Sequence, residues 1–314
     1  MNADVKPLDC QSRTAQVRVY LRLSAFICGC LVFSVFAQEA RDPFAWGSTH
    51  AGKPVPEYIT GDECLFCHRN DIGPGWQKNR HGTTVRQRED APELAARFPE
   101  GEFFLGSRAQ VRLLKKQGYG KFAMFDPATR SWNAGRFADR CAGCHSTGVD
   151  AAARTFSAFG LDCYTCHGVV SLDHTKGDFS TVRLSKKRRD DARTVTSICA
   201  QCHLRGGASR STRLPYPNNF VPGDNLFRDF AVDFANADDA KLNPGDRHVW
   251  RNVREVVLVG NESVTCVSCH RVHGPPGSRH RLPPRSAICW DCHQTGGPFA
   301  PARAYTVRSE LCEY

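Results

Sequence analysis

The stretch CAGCHSTGVDAAARTFSAFGLDCYTCHG, residues 141–168, decides how the rest of the chain is read. It holds two Cys-x-x-Cys-His units, Cys141/Cys144/His145 and Cys163/Cys166/His167. Four more occur: Cys64/Cys67/His68, Cys199/Cys202/His203, Cys266/Cys269/His270 and the last, made of Cys289, Cys292 and His293. Thiols at i and i+3 share one face of a helical turn and can bond two vinyl groups on one edge of a porphyrin. A histidine at i+4 lies on the same face and can reach the iron. The unit is the attachment signature of a c-type haem. Structural zinc and a disulfide are the alternatives for Cys-x-x-Cys, and neither needs histidine directly after the second cysteine. All six units have one, in a chain with 12 histidines. The sequence therefore predicts six covalent haem c groups, with the twelve cysteines as thioether donors and the six histidines as proximal iron ligands.

A chain of 314 residues allows one or two domains. Six porphyrins would supply much of the apolar interior, so less protein core is needed. The expected architecture is one haem-packed body, mainly α and irregular, with little β structure.

Lys6, Arg13, Arg18 and Arg22 precede an apolar run over residues 23–37. That run is short for a membrane span and suits a signal-peptide core. Val35 and Ala37 are small residues at −3 and −1, so cleavage is expected after Ala37, with an uncleaved anchor as the alternative. Residues 1–37 then form the signal peptide and 38–314 a single hexahaem domain. That domain is exported to the periplasm or the cell surface, with no stable membrane span. Export suits c-type haem, which is attached outside the bacterial cytoplasm. Cys10, Cys28 and Cys30 leave with the leader. Cys312 remains as the one cysteine outside the motifs, either a free tail thiol or a link to another chain.

The formal net charge is +10. Losing the leader removes four bases and two acids, and haem propionates offset most of the remainder, so the holoprotein is near neutral and nucleic acid is not an expected partner. Residues 183–193, RLSKKRRDDAR, are read as a solvated helix face or a docking surface for an acidic redox partner. Gly73-Pro74-Gly75 signals a turn, followed by a short helix over residues 76–81. Residues 91–97 and 109–117 look helical, with Gly118 and Gly120 as stops. Residues 205–243 read as a long ordered loop whose Phe220, Leu226, Phe227, Phe230 and Phe234 must pack somewhere. Met124 reads as core rather than as a ligand.

Six histidines lie outside the motifs: His50, His81, His174, His248, His273 and His280. One spare per haem is the number needed for bis-histidine ligation throughout. Six-coordinate haem carries electrons and has no open site for substrate. His81 is the leading distal candidate, because the chain can curl back after His68. His273 follows His270 too closely to reach the opposite face of the same haem, so a neighbouring haem is its target. His174 follows His167 by seven residues and invites the same argument. His248 can cap either haem of the last pair. His50 and His280 are equally readable as surface residues.

CLFCH followed by Trp76 and His81 resembles the opening of the nitrifier tetrahaem cytochrome c family, with Asn79 in place of the usual serine. CAGCHSTGVD, GLDCYTCHG and His174 resemble that family's central haem pair, and CVSCHRVHG resembles a unit common in multihaem cytochromes. The resemblance runs in patches over residues 60–295. It implies a relay accepting electrons from a redox enzyme, and distal roles for His81, His174 and His273. The wider superfamily includes nitrite, hydroxylamine and tetrathionate enzymes. The Cys-x-x-Cys-Lys unit that marks the catalytic haem of the nitrite reductases does not occur here.

The leading reading is thus an exported electron relay whose partners are redox proteins or a quinol-linked donor. Its haems should be of low potential, because histidine takes the place of the methionine that raises it. One alternative is an oxidoreductase with one open haem acting on a small nitrogen or sulfur oxyanion. Another is a homo-oligomer stacked through its haems into a conducting filament.

Overall fold

Strands β1 (Val85–Gln87), β2 (Phe103–Leu105), β3 (Arg112–Gly118), β4 (Lys121–Asp126) and β5 (Ser131–Asn133) form one antiparallel sheet in chain order. The computed structural model describes residues 46–106, 111–176, 180–234 and 241–275. The expected leader and Cys312 lie outside them. So does the sixth attachment unit, with its expected thioether donors Cys289 and Cys292 and its expected ligand His293, and so does the spare histidine His280.

This sheet overturns the expectation of a mainly α and irregular fold with little β structure: the architecture is mixed. The correction falls on residues 109–117, whose described part is strand instead of helix. Leu, Lys, Arg and Gln favour helix locally, but that preference is weak and tertiary pairing overrides it. Leu114 stands opposite Met124 in β4 and Phe103 in β2, and the chain turns at Tyr119–Gly120, where Gly120 has φ 63°. Both faces are covered. Leu105, Leu114, Phe122 and Met124 pack with Phe137, Ala142 and Phe156. On the other face Phe104 and Leu113 pack under Ala91 and Leu94, of which Leu94 lies in helix α3 (Pro92–Arg97). Met124 is 1% exposed, as a core residue should be.

The remaining elements are short and several carry an attachment unit. They are α1 (Gly61–His68), α2 (Gly73–Trp76), α4 (Arg136–Arg140), α5 (Ala142–His145), the hairpin β6 (Ser146–Asp150) and β7 (Thr155–Phe159), α6 (Tyr164–His167) and α7 (Ala192–His203). A second hairpin pairs β8 (Ala208–Ser209) with β9 (Phe230–Ala231), and α8 (Pro244–Arg254) and α9 (Cys266–Cys269) follow. Gly73-Pro74-Gly75 begins α2, which ends at Trp76, so residues 77–81 are turn and bend and not the expected helix; proline in the first helical turn gives up no intrahelical hydrogen bond.

Asp191 caps α7 by accepting from Thr194 N at 2.7 Å, and Asn243 caps α8 by accepting from Asp246 N at 3.0 Å. A core of Ala200, Leu204, Leu226, Phe227, Phe230, Phe234, Trp250, Val253 and Val257 joins α7 to α8 and to the loop over residues 205–234. The aromatic residues of that loop therefore pack here. The basic run at 183–193 is no solvated helix before α7 begins. Asp190, its side chain 3% exposed, gathers Arg183 at 3.1 Å and Arg188 at 2.6 Å and accepts from Leu184 N at 2.6 Å. Burial alone would favour its neutral form, but these donors hold the carboxyl below the usual carboxylate range.

Candidate haem-binding sites

Each described Cys-x-x-Cys-His unit lies on a helical turn. Cys64, Cys67 and His68 are in α1, and Cys163, Cys166 and His167 span α6 from its N-cap. Cys199, Cys202 and His203 end α7, while Cys141/Cys144/His145 and Cys266/Cys269/His270 straddle α5 and α9. None of these ten cysteines forms a disulfide with another described residue, so each keeps the thiol that a thioether donor needs before attachment. The other two expected donors, Cys289 and Cys292, fall outside the described residues, so five of the six expected units have a geometry here. Among the described residues no group of three or more His, Cys, Asp or Glu side chains gathers as a zinc cage would.

The histidines come together in pairs drawn from distant parts of the sequence. His68 lies 6.3 Å from His174 between ring centroids, His81 5.9 Å from His203, His167 5.8 Å from His273 and His248 6.3 Å from His270. Each pair joins one motif histidine with one of the spare histidines. Two imidazoles on opposite sides of one metal, each nitrogen about 2 Å from it, hold their centroids roughly 6 Å apart. The residues present therefore fit an iron between each pair. His50 stands elsewhere: its Nδ1 lies 2.7 Å from Asp224 Oδ1, and its backbone N–H donates to Asp224 Oδ2 at 3.1 Å.

The Nδ1 atoms are occupied in a consistent way. An acceptor stands beside Nδ1 of His68 (Asp71 Oδ2, 3.3 Å), His81 (Asn79 Oδ1, 3.1 Å), His167 (Arg183 O, 2.6 Å) and His174 (Ser171 O, 2.7 Å). A donating Nδ1–H fixes the tautomer and leaves Nε2 with the lone pair for a metal. Burial pushes the pKa of His81, His167, His203, His248 and His273 down, so the neutral, ligating form is favoured. His145 goes furthest, to about 4, from burial first and then Arg205. Its Nδ1 is buried and has no partner among the described residues.

Asn79, Asp71 and the carbonyls of Ser171 and Arg183 are positioning groups that the motifs did not reveal. Asn79 is 6% exposed and donates from Nδ2 to Gly274 O at 2.5 Å. A Cβ on Gly75 would overlap the carbonyl of His273, so residues 75–79 clasp residues 273–274. That clasp orients His81 and His273 together.

Gly143, between Cys141 and Cys144, has no room for a side chain, because a Cβ there would overlap the ring of Tyr216. Tyr216 is 1% exposed and donates to Ala138 O at 2.5 Å. Gly143→Ala should therefore lower stability by roughly 1–3 kcal/mol through overpacking. Chemical denaturation measures this, and a change under about 0.5 kcal/mol, within the ordinary surface range, would disprove the contact.

Asp162 sits between α1 and α6 and accepts from Tyr164 N at 2.9 Å. Burial raises its pKa from the ordinary 3.8 to about 6, against the pull of hydrogen bonds from Tyr164, Gly61, Thr165 and Thr147. Between these values the folded state binds the proton more tightly than the unfolded one, so stability falls as pH rises from about 4 to 6. The window is worth roughly 3 kcal/mol. Asp162→Asn should flatten that fall in denaturation series across the window. An unchanged slope would show that Asp162 titrates normally.

A family model described as a doubled CXXCH motif matches residues 259–297, which include the last two attachment units. The fold is similar to that of the outer cell wall cytochrome OcwA, at 20% identity over 76% of this chain and 68% of that one, with a TM-score of 0.51. An undecahaem cytochrome from the S-layer of Carboxydothermus ferrireducens matches at 18% identity over 78% of this chain and 44% of that one, with a TM-score of 0.42. Among curated proteins none matches significantly. Among the described residues no helix is long and apolar enough to cross a membrane. The doubled Cys-x-x-Cys-His match over residues 259–297 and a fold similar to that of a cell wall cytochrome liken this chain to multihaem c-type cytochromes.

Proposed function

We propose that the protein is an exported hexahaem relay whose haems are mostly bis-histidine ligated. The observation that carries this reading is the set of four imidazole pairs, each matching one motif histidine with one spare histidine near 6 Å. Haem, when bound, supplies one-electron chemistry at the iron. The chain's own residues do the rest. Cys64/Cys67, Cys141/Cys144, Cys163/Cys166, Cys199/Cys202 and Cys266/Cys269 fix five of the groups, and Cys289 with Cys292 fixes the sixth. His68, His145, His167, His203, His270 and His293 take the proximal positions. His174, His273, His81 and His248 face His68, His167, His203 and His270 in turn, and the acceptors at Nδ1 hold several of these rings in register.

Residues 1–37 act as the leader, and 38–314 form one domain working in the periplasm or at the cell surface. The similarity of fold to a protein described as an outer cell wall cytochrome supports the second location. Partners are redox proteins or a quinol-linked donor. The finer placement beside the nitrifier tetrahaem family rests on the motif resemblance around Trp76, His81 and the central pair.

A second reading attaches to His145. Among the described residues it faces no other imidazole ring, and Arg205 is close enough to influence its charge. An iron open at that position, beside a cation able to hold an anion, is what a small-oxyanion reductase would need.

Intact mass and electron paramagnetic resonance of the exported oxidised protein test both readings. A chain starting at Gln38 with six haem additions is expected. The imidazole planes meet at 17° and 32° in the His68/His174 and His167/His273 pairs, and at 81° and 71° in the His81/His203 and His248/His270 pairs. Two classes of low-spin signal should follow, the steeper pairs giving the larger maximal g value. Fewer than six adducts would sink the count, and one uniform class would sink the pairing. A high-spin signal with nitrite turnover would replace the relay by the second reading.

A further inference from the structure

Helix α7 occupies a position that no other described attachment helix shares. It packs against α5, α6 and α9, and each of those carries a different Cys-x-x-Cys-His unit. The contacts run through the attachment residues themselves. Cys144 Sγ lies 3.8 Å from Cys202 O and 3.9 Å from Gln201 O, and Cys202 Sγ lies 3.7 Å from Gly143 O. The side chains of Cys144 and Cys202 are close enough to influence one another's ionisation, and so are those of Cys199 and Cys266. Cys166 lies within electrostatic reach of both Cys199 and Cys202, and Gln201 Nε2 donates to Thr165 O at 3.3 Å.

The unit on α1 is placed differently. Gly61 abuts Asp162 and Cys163, and Cys64 is close enough to Cys163 to influence its ionisation, so its described neighbour is α6. His273, opposite His167, lies within electrostatic reach of both His68 and His81. The α6 unit therefore stands between the α1 unit and the α7 unit.

We propose that Cys199, Cys202 and His203 form the junction of a branched haem array, neighbouring the attachment sites on α5, α6 and α9. The spatial order runs from the α1 site to the α6 site to α7, and there divides towards α5 and towards α9. Each attachment sulfur would be bonded to the rim of its own porphyrin, so helices that bring the sulfurs of different units close would bring those rims together. A linear array gives an interior site two neighbours; the site on α7 has three. A junction allows one entry and two exits, so such a chain can serve two acceptors from one donor. This inference rests on the relay reading above, and its test separates the two.

The test uses the full exported holoprotein and resolves individual midpoints by redox titration with spectroscopic detection. His81→Met should raise the potential of the site shared with His203, because a methionine ligand favours the reduced iron. That site then reduces first, and its added electron repels electrons at adjacent sites. Midpoints of at least three other sites should fall. His174→Met at the α1 site should lower one described neighbour. Shifts at two sites or fewer in His81→Met would overturn the junction.

If His81→Met raises no midpoint, the ligand assignment fails, and a second variant decides the junction independently. Cys199→Ser/Cys202→Ser should lose one haem by mass, and spin–spin broadening should be relieved in three of the remaining signals. Relief in two or fewer would overturn the proposal whatever the ligands are.

Discussion

His81→Ala should produce one high-spin haem that binds a single equivalent of carbon monoxide when reduced, while the other haems keep their spectra. His81 faces His203 at 5.9 Å, and burial keeps its imidazole neutral. Its Nδ1 lies 3.1 Å from Asn79 Oδ1 and its backbone N–H donates to the same oxygen at 2.7 Å, so the ring is held from two points. Nε2 is then the nitrogen left for iron. Alanine removes that nitrogen and leaves the proximal bond intact, so coordination falls from six to five at one site. Covalent attachment through Cys199 and Cys202 would keep the haem in place, and intact mass should be unchanged apart from the substitution. Asn79→Ala should act in the same direction but partially, with a mixture of spin states, because it removes the orienting acceptor and not the ligand. A fully low-spin His81→Ala spectrum, or carbon monoxide binding equal to that of the unmodified protein, would show that His81 is not a ligand.

The attachment units could be found in the sequence because their chemistry is local. Two thiols and an imidazole must share one helical turn, and that constraint is written in five consecutive residues. The pairing of spare histidines is written nowhere locally. His81 meets His203, and His174 meets His68, only because α7 and α1 are brought beside segments far away in the chain. Positioning groups were harder still. Backbone carbonyls of Ser171 and Arg183 carry no residue signature at all, whereas Asn79, two residues before His81, is a side chain that could have been suspected.

The sheet is illegible locally for a different reason. Residues 112–117, RLLKKQ, contain good helix formers, and the pairing of Leu114 with Met124 and Phe103 outweighs their preference. The apolar interior of this region comes from the chain itself and not from porphyrin. Phe103, Phe122, Phe137, Phe156 and Phe159 form a protein core of their own.

That aromatic core is expected to be needed by an attachment site, which Phe137→Ala would reveal. Phe137 is fully buried and lies on α4, directly before Cys141. Its ring meets Phe122 of β4 at 5.9 Å, Phe156 of β7 at 5.7 Å and Phe159 at 5.5 Å. Cys141 N in turn donates to Phe137 O at 2.8 Å, so the start of the attachment turn hangs on this residue. Removing the ring leaves a cavity among side chains fixed on three sides, and such truncations cost about 3–5 kcal/mol. Stability in denaturant should fall by that amount. Because the cavity lies under Cys141/Cys144/His145, the loss should be local as well as global. Exported Phe137→Ala should contain a fraction of chains one haem short by intact mass, with peptide mapping placing the deficit at Cys141 and Cys144. Trp250→Ala, in the separate core beneath α7 and α8, should destabilise comparably without a deficit at that site. Full occupancy together with a loss below about 1 kcal/mol would mean that the sheet is an independent appendage, and that the attachment turn at residues 141–145 holds its shape without it.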